Sequence, residues 1–532
     1  MILTSSKASL AASALFILAG VSAAQSPQGS LTGSSIIANE NFGSSVAIDG
    51  NTAIVGAVFH QGIGINSGIA YIFDRTGSTW AESAELIASD EDEDDRFGWS
   101  STISGDLAAV SARYNADAGY GSGSAYVFER VAGVWTETAK LVPNEEKTND
   151  FFGNGITADG NTIVVGSTGH DGMQFDSGAA YVFEKVGGVW TQTFLLKADS
   201  PQMGDNLGSR LSLNDTDGYL AVSARGIDGV AANVGGVFIF ERVGGVWSQA
   251  ALLTPADGGT SDVFGSSVSI DGTTLAVGSG LHDGNGTDAG AVYMYERIAG
   301  TWTFTQKIVS DVGVALDYFG ASVSVSGDNL LIGAWGDDTS GFNVGRAFKY
   351  QRLGAEWFET SQLSSGGTTF NENFGASVAL DGDSAIIAAR GDLAGGKAYF
   401  YKGFERVPLY GTMCPGSGGF RPILSMSGSP EPGESGKITL RDGPGGQLSF
   451  LLIGLTTANN LMSNGCFQVI NPETTFIRMK LSAGGDGDGK KSLPVSVPTN
   501  LGTVSIYFQS FVIDPGTPFG YTLSNGFELD LL

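Results

Sequence analysis

A repeat of about 55 residues constrains the fold of this chain more than any other feature. A Phe-Gly step, replaced once by Leu-Gly, recurs with its glycine at Gly43, Gly98, Gly153, Gly208, Gly265, Gly320 and Gly375. A tryptophan keeps the same spacing at Trp80, Trp135, Trp190, Trp247, Trp302 and Trp357. Aromatic pairs two positions apart, such as Tyr181 and Phe183, lie between these landmarks. Repeats of this length are typical of solenoids, propellers and other arrays.

Each repeat reads as four β-strands. The first follows Phe-Gly, as in SSVAI, and the second is apolar and β-branched, as in TAIVGA. The third carries the aromatic pair, as in GAAYVFEK, and the fourth begins at the tryptophan, as in VWTQTFLLK. Asp-Gly or Ser-Gly pairs such as IDGNT predict a tight hairpin between the first two strands. Four-stranded units at this period predict propeller blades, with a β-solenoid as the alternative.

The number of blades follows from the number of Phe-Gly steps. There are seven steps but only six tryptophan strands, because the last repeat, from Phe374 to about Lys402, has no fourth strand. The segment SLTGSSIIAN at Ser30–Asn39 belongs to no repeat. We therefore predict an all-β, seven-bladed propeller in which this N-terminal segment closes the ring, with Leu31–Ala38 paired to Ala398–Tyr401. Closure of this kind removes an exposed sheet edge.

The repeat resembles a known family. The string FGSSVAIDG…AIVGA…SGIAYIF is similar to the FG-GAP repeat of integrin α-chain propellers, and the ending AYVFER–GG–W resembles the secreted bacterial variant. The resemblance extends over residues 30–403 and implies an integrin-α-like propeller in adhesion or binding at the cell surface. Integrin-type repeats often carry an Asp-x-Asp-x-Asp-Gly calcium loop. Here the corresponding turns are short, and LNDTDGY at Leu213–Tyr219 lacks the later acidic ligand. We therefore predict no cofactor, and the resemblance leaves calcium as the alternative.

The remaining segments predict export and a second domain. Residues 1–24 combine an early lysine, the apolar run Leu10–Val21 and small residues up to Ala24, which is the pattern of a signal peptide. No later run is apolar enough to predict a transmembrane span after cleavage.

We assign residues 25–403 to the propeller, 404–410 to a linker and 411–532 to a β-sandwich. The last assignment follows because the short apolar runs of residues 411–532 are separated by Gly, Pro and Asp. Cys414 and Cys466 predict a disulfide in an exported chain. The expected location is secreted or cell-surface.

The chain is strongly acidic. It has 28 Lys and Arg against 55 Asp and Glu, a net charge of −27. Such a surface disfavours nucleic acid and anionic membranes as partners. It is compatible with binding of cations or basic surfaces, and equally with solubility alone.

One acidic residue stands two positions before the aromatic or leucine of every Phe-Gly step. The seven are Glu40, Asp95, Asp150, Asp205, Asp262, Asp317 and Glu372. They are the candidate metal-ligating residues if they form a carboxylate ring at the channel mouth. The alternative is that each accepts backbone N–H groups in its own turn. We prefer the second interpretation, because a turn residue must recur in every blade whereas a ligand need not.

Two other features belong to the same predicted face. The acidic run SDEDEDDR at Ser89–Arg96 is interpreted as a solvated charge run rather than a metal or partner site. His60, His170 and His282 share one repeat position and are interpreted as variation within a loop. The long loops between second and third strands make this face the expected binding surface.

No catalytic motif is recognisable in the sequence. We find no nucleophile elbow, metalloprotease helix, phosphate-binding loop or zinc spacing. The sequence therefore predicts no catalytic residues and a non-enzymatic, exported binding or adhesion protein that contacts a protein or carbohydrate ligand at the cell surface. The alternatives are a secreted hydrolase or lyase acting on polysaccharide or phosphoester, and a purely structural envelope component.

Overall fold

The computed structural model describes residue 27 and residues 29–402 apart from 146, 173, 311–312, 354–355 and 392–394, together with the backbone of strands beyond residue 408. The predicted signal peptide, Cys414 and Cys466 lie outside the described residues, so both predictions stay predictions. The chain divides into two compact units, of which one spans Ser26–Arg406 and the other contains Val407–Leu532.

The first unit consists of antiparallel sheets of four strands, one for each predicted blade. A short strand, β1 (Gly29–Leu31), precedes the blades. Blades 1 to 3 contain β2 (Phe42–Asp49), β3 (Thr52–Ala57), β4 (Ile69–Thr76), β5 (Thr79–Leu86); β6 (Phe97–Ser104), β7 (Leu107–Ala112), β8 (Ser124–Val131), β9 (Val134–Leu141); β10 (Phe152–Asp159), β11 (Thr162–Ser167), β12 (Ala179–Val186) and β13 (Val189–Leu196). Blades 4 and 5 contain β14 (Leu207–Asn214), β15 (Tyr219–Ala224), β16 (Gly236–Val243), β17 (Val246–Leu253); β18 (Ser267–Asp271), β19 (Thr274–Ser279), β20 (Ala291–Ile298) and β21 (Thr301–Ile308). Blades 6 and 7 contain β22 (Ser322–Ser326), β23 (Asn329–Ala334), β24 (Arg346–Leu353), β25 (Glu356–Leu363); β26 (Phe374–Asp381), β27 (Ser384–Ala389) and β28 (Lys397–Lys402).

The N-terminal strand closes the ring. Strand β1 pairs antiparallel with β28 as the outer strand of blade 7, with Gly29 opposite Phe400 and Leu31 opposite Ala398. The prediction of closure is confirmed, but the predicted paired range Leu31–Ala38 was wrong apart from Leu31. The residues after Leu31 do not continue the strand, because the chain must return from the outer edge of blade 7 to begin β2. Along this return the Ser34 amide donates to Glu82 Oε2 at 2.7 Å, and the Ile37 amide donates to Glu40 Oε2 at 2.9 Å.

The Phe-Gly step joins neighbouring blades. The backbone of Phe97, at the start of β6, forms a parallel bridge with Gly68, which precedes the third strand of blade 1. A Cβ on Gly68 would lie 2.1 Å from the Phe97 carbonyl oxygen, so only glycine fits this approach. At the seam, Gly396 and Phe42 make the same 2.1 Å approach. Bridges of the same kind join Gly178 to Leu207, Gly235 to Phe264, Gly290 to Phe319 and Gly345 to Phe374.

The hydrophobic core lies in layers between adjacent blades. In the layer between blades 1 and 2, Ile54 packs with Val110, Tyr126 and the side chain of Phe97, the phenylalanine of a Phe-Gly step. Phe97 meets Tyr126 edge-to-face with ring centroids 5.6 Å apart. The aromatic pairs that mark each third strand are therefore core residues, as expected for large apolar side chains on alternating positions.

An ion-pair ladder, formed by third-strand residues, connects blade to blade along the ring. An acidic residue of one blade contacts the basic residue of the next, which explains the Glu-Arg ending of the repeated string. The pairs are Asp74–Arg130 (3.1 Å), Glu129–Lys185 (2.7 Å), Glu184–Arg242 (2.5 Å), Glu241–Arg297 (3.0 Å) and Glu296–Arg352 (2.8 Å). At the seam, Arg75 instead donates to the Ser384 hydroxyl at 2.7 Å.

The second unit is also composed of β-strands. They are β29 (Leu409–Tyr410), β30 (Ile423–Gly428), β31 (Ser435–Gly443), β32 (Leu448–Gly454), β33 (Thr456–Leu461), β34 (Phe467–Asn471), β35 (Thr475–Lys480), β36 (Gly489–Ser496), β37 (Val504–Ile513) and β38 (Tyr521–Leu531). They form sheets ordered β29-β38-β37-β32-β35, β30-β31-β36 and β33-β34. The β-sandwich packing of this unit stays a prediction.

Candidate functional site on the loop face

The propeller has two different faces. We call loop face the one with the loops between second and third strands and the crossovers from each blade to the next; the opposite, hairpin face carries the tight turns. On the loop face the two kinds of segment are hydrogen-bonded to each other. The Asp94 amide donates to the Ile65 carbonyl at 2.9 Å and the Arg96 amide to the Asn66 carbonyl at 3.0 Å. The loops of this face are therefore held in place from blade to blade.

The seven recurring carboxylates lie inside the crossover turns. Each is 1 to 3% exposed. Asp205 accepts the amide of Gln202, three residues earlier, at 2.7 Å. The same contact is made by Glu40 (2.9 Å), Asp95 (3.3 Å), Asp262 (2.7 Å) and Asp317 (2.8 Å). In the seventh blade, Glu372 accepts the Tyr399 hydroxyl at 2.9 Å. Backbone amides that donate to these carboxylates are the contacts expected if the carboxylates stabilise their own turns.

These turns need a fixed carboxylate because their backbone is unusual. The residue after each carboxylate has a positive φ, as at Arg96 (54°), Phe151 (51°) and Tyr318 (56°). L-residues with side chains disfavour this left-handed region, so the turn must be held by other contacts. The buried carboxylate supplies one of them.

Burial affects the ionisation of several of these carboxylates. It raises the pKa of Asp95, Asp150 and Asp317 to about 6. The Oδ2 atom of Asp150 and the Oδ1 atom of Asp317 are buried without a hydrogen-bond partner. Keeping these groups charged at neutral pH costs stability.

Two of the three histidines contact the carboxylate of their own blade, whereas His170 Nδ1 is hydrogen-bonded to the Tyr181 hydroxyl at 3.0 Å. The Nδ1 atom of His60 lies 3.1 Å from Glu40 Oε2, and that of His282 lies 2.5 Å from Asp262 Oδ2. His170 Nδ1 is 4.0 Å from Asp150 Oδ2, and burial lowers the pKa of His170 to about 4. The histidine position thus has a defined contact, which its interpretation as loop variation missed.

The acidic run Ser89–Arg96 and the turn LNDTDGY, which comes nearest to a calcium loop, use their carboxylates in hydrogen bonds and an ion pair within the protein. Glu91 accepts the Ile63 amide at 3.0 Å, and Asp94 accepts the Asn66 side-chain amide at 2.8 Å. Asp215, in LNDTDGY, pairs with Arg242 at 2.9 Å. Within the part of the chain that the structure describes, no group of three or more His, Cys, Asp or Glu side chains is placed to hold a metal ion.

Exposed apolar side chains are distributed around the loop face. The largest exposures are those of Ile63 (83%) and Met203 (73%). Phe342 and Phe370 stack at 4.9 Å, one from a loop and the other from the adjoining crossover. We call apolar rim the exposed set Ile63, Ile65, Tyr120, Phe175, Met203, Val230, Val314, Leu316, Phe342 and Phe370.

A cavity opens at the centre of the ring. It has a volume of about 590 Å³ and is lined by first-strand residues of several blades, including Ser45, Ser101 and Val323. A second cavity of about 520 Å³ adjoins it, and Trp99 and Arg210 line both. The size of each is typical of a small-molecule site.

Five arginines line these cavities or flank them at the loop face. We call them the channel arginines: Arg96, Arg113, Arg210, Arg225 and Arg390. Arg210 is exposed to the channel, yet protein surrounds it. That enclosure, together with the charges of Arg225, Arg113 and Arg390, lowers its pKa to about 10, so it stays charged at neutral pH. The Nε atoms of Arg96 and Arg113 are buried without a hydrogen-bond partner.

Sequence reasoning missed the channel arginines, although a signal was present. The string Val-Ser-Ala-Arg ends the second strand twice, at Arg113 and Arg225, and Ala-Ala-Arg does so at Arg390. The same repeat position holds Val58, Thr168, Gly280 and Trp335 in the other blades. An arginine shared by three of seven blades at one position was visible before the structure.

The seven four-stranded sheets and their recurring Phe-Gly steps define a seven-bladed propeller built from tandem repeats. The model of the FG-GAP repeat matches residues 26–73, 80–128, 135–183, 247–295, 302–350 and 357–401, more than half of the chain, so the protein belongs to the FG-GAP repeat family. Each match after the first begins in the outer strand of one blade and ends in the third strand of the next, and the first, which begins at residue 26, also ends in a third strand. Residues 184–246, which include Arg210 and Arg225, lie outside these matches.

Comparison with solved structures returns matches of low similarity. The exo-β-1,3-galactanase from Phanerochaete chrysosporium is 12% identical, with 70% of this chain and 94% of that chain covered and a TM-score of 0.29. The β-propeller domain of the trilobed protease from Pyrococcus furiosus is 10% identical, with 70% and 98% covered and a TM-score of 0.38. These values carry no functional argument. No curated protein matches the chain. In the described residues, no helix has the length and hydrophobicity to span a membrane.

Proposed function

We propose that this protein is an exported, non-catalytic binding protein that contacts a protein or carbohydrate ligand at a cell surface through its loop face. The observation that carries the proposal is the apolar rim. Contiguous exposed apolar side chains mark interaction surfaces, and the stacked Phe342 and Phe370 form such a contact. The rim as a whole comes from loops and crossovers of six blades around a central cavity.

The rim is prepared for binding because its loops are already ordered. Phe342 and Phe370 belong to segments joined by a hydrogen bond from the Asn371 amide to the Phe342 carbonyl at 3.0 Å. Phe175 and Met203 are joined in the same way through the Gly204 amide. A ligand that lands on such a surface does not have to order the loops, which lowers the entropic cost of association.

The position of the recurring carboxylates supports binding over catalysis. A general acid or base must reach the substrate. Asp205 and Asp262 are instead buried and accept backbone amides of their own turns. The proposal therefore assigns these groups to the scaffold and the ligand contact to the rim.

The test compares the two faces. In the full chain, Phe342→Ser with Phe370→Ser removes the stacked pair from the loop face. Val131→Ser with Val186→Ser removes two equally exposed apolar side chains from the hairpin face and serves as the control. Labelled protein is applied to a glycan array and to intact cells, and saturable binding is measured. We expect binding to weaken about tenfold or more in the loop-face variant only, as for loss of a central aromatic contact.

Two results would contradict the proposal. Equal loss in both variants would show that the loop face has no special part in binding. Conversion of a bound glycan or phosphoester to product, abolished by Asp317→Asn, would favour the hydrolase alternative.

A further inference from the structure

The channel arginines are a concentration of positive charge in an acidic protein. The chain carries a net charge of −27, yet five arginines converge on one channel mouth from blades 2, 4 and 7. The charges of Arg225, Arg113 and Arg390 all act on Arg210. Like charges gathered in this way destabilise a fold unless something compensates them.

No carboxylate compensates these arginines within the described residues. The ion pairs of the propeller involve other cations, chiefly those of the ladder. Arg113 contacts only aromatic faces, with Trp99 at 4.7 Å and Phe151 at 4.6 Å. Arg210 donates only to a main-chain carbonyl, that of Ser209 at 3.0 Å.

One acidic residue, Asp176, lines the second cavity. Burial, followed by the negative charge of Asp171, raises the pKa of Asp176, and no arginine offsets this rise. Asp176 forms no ion pair with any of the five arginines, and no counter-ion of the cluster lies among the residues that the structure describes.

From these observations we infer that the channel mouth binds a compact anion carrying sulfate, phosphate or carboxylate groups. The planar guanidinium groups of Arg113, Arg210 and Arg225 can donate paired hydrogen bonds to such oxygens. Because Arg210 lines both cavities, an anion bound to Arg210 is accessible from either cavity. This site is separate from the apolar rim and goes beyond the proposed function.

The surrounding charge limits the size of the ligand. A long polyanion would have to run along the acidic outer surface, whose field repels it. A compact anion, or a small acidic sugar, can enter a cavity of about 590 Å³ without that contact. Trp99, which is partly exposed and lines both cavities, adds apolar surface beside the arginines that suits a sugar ring.

The experiment measures anion binding to the full chain by isothermal titration calorimetry at low salt. The probes are sodium sulfate, sodium citrate, a sulfated disaccharide and the same disaccharide without sulfate. Arg210→Gln and Arg225→Gln are the test variants. Arg75→Gln is the charge-matched control, because Arg75 lies outside both cavities and binds Asn51 and Ser384.

We expect at least one anionic probe to bind, and its affinity to fall about tenfold in each channel variant, as for loss of a charged hydrogen bond. Arg75→Gln should leave the affinity unchanged. If the sulfated disaccharide binds more tightly than sulfate and citrate, the source is an acidic sugar; if not, it is a free anion.

The inference is overturned if no anionic probe binds, if the uncharged disaccharide binds as well as the sulfated one, or if Arg75→Gln weakens binding as much as Arg210→Gln. None of these outcomes touches the proposed function, which is tested with variants of the rim.

Discussion

Basic side chains occupy two contrasting environments in this propeller. In the ladder, a cation such as Arg242 lies between carboxylates of its own and the preceding blade, Asp215 and Glu184, with all three side chains about one-fifth to one-quarter exposed. At the channel mouth, Arg210 and Arg225 face other arginines. Among the described residues, only the first set has its counter-charges within the protein.

This difference distinguishes the cations that hold neighbouring blades together from the cations of the candidate site. A paired cation contributes to the cohesion of neighbouring blades and needs nothing further. A cluster of unpaired cations costs stability, and such local costs are typical of functional sites. The same residue type therefore has opposite expected effects on stability in the two places, which mutations can measure.

The largest effect is expected in the ladder. Arg242→Gln leaves Glu184 and Asp215 without their cation, and we expect the free energy of unfolding to fall by about 2 kcal/mol. Urea denaturation followed by tryptophan fluorescence measures this change. Arg75→Gln, which removes a cation that contacts no carboxylate, is the control; an equal loss in both variants would contradict a special role for the ladder.

A somewhat smaller effect on the free energy of unfolding is expected for two kinds of carboxylate, and its pH dependence is opposite in the two. The hydrogen bond from Lys185 lowers the pKa of Glu129, so Glu129 stabilises the fold above about pH 4.5 and loses this contribution as the pH falls. Burial raises the pKa of Asp150 to about 6, so its charge destabilises the fold above that pH and the cost disappears as the pH falls towards 4.

We therefore expect Asp150→Asn to raise the free energy of unfolding by about 1.5 kcal/mol above pH 7 and to have little effect near pH 4.5. Glu129→Gln should lower it above pH 6. Urea denaturation across this pH range provides the measurement. A stabilising effect of Asp150→Asn that persists at low pH would rule out ionisation as its cause.

The smallest effect is expected at the channel mouth. Arg225→Gln removes one of the mutually repelling charges, and we expect an increase of about 0.5 kcal/mol in the free energy of unfolding without added anion. Since salt screens this repulsion, the increase should shrink at high ionic strength. Thermal denaturation at two salt concentrations tests this. Destabilisation by Arg225→Gln would mean that Arg225 supports the scaffold.

Much of the fold was predictable because its determinants recur. The Phe-Gly spacing gave the blades, since Phe97 and its equivalents must each bridge to a glycine of the preceding blade. The absent tryptophan strand after Phe374 predicted that another segment closes the ring. The exact pairing of β1 was not predictable, because three residues joined by backbone hydrogen bonds leave no side-chain pattern.

The candidate site was predictable only in part. The loops identified the face, and the recurrence of Glu40 and its counterparts indicated turn-building. The channel arginines occupy three different repeat positions and lie up to 294 residues apart in the chain, between Arg96 and Arg390. The sequence shows that Arg113, Arg225 and Arg390 share one repeat position, but only the closed ring brings the five arginines together.

The pairing of β1 with β28 also has a mechanical consequence. Because the two strands are antiparallel, residue 29 and residue 402 leave the sheet at the same end. A force that pulls these two points apart would load the backbone hydrogen bonds one after another, as a zip opens, instead of all at once in shear. Under tension applied through its two ends, the ring would therefore open first at blade 7, and the short strand that completes the circle would set the force that it withstands.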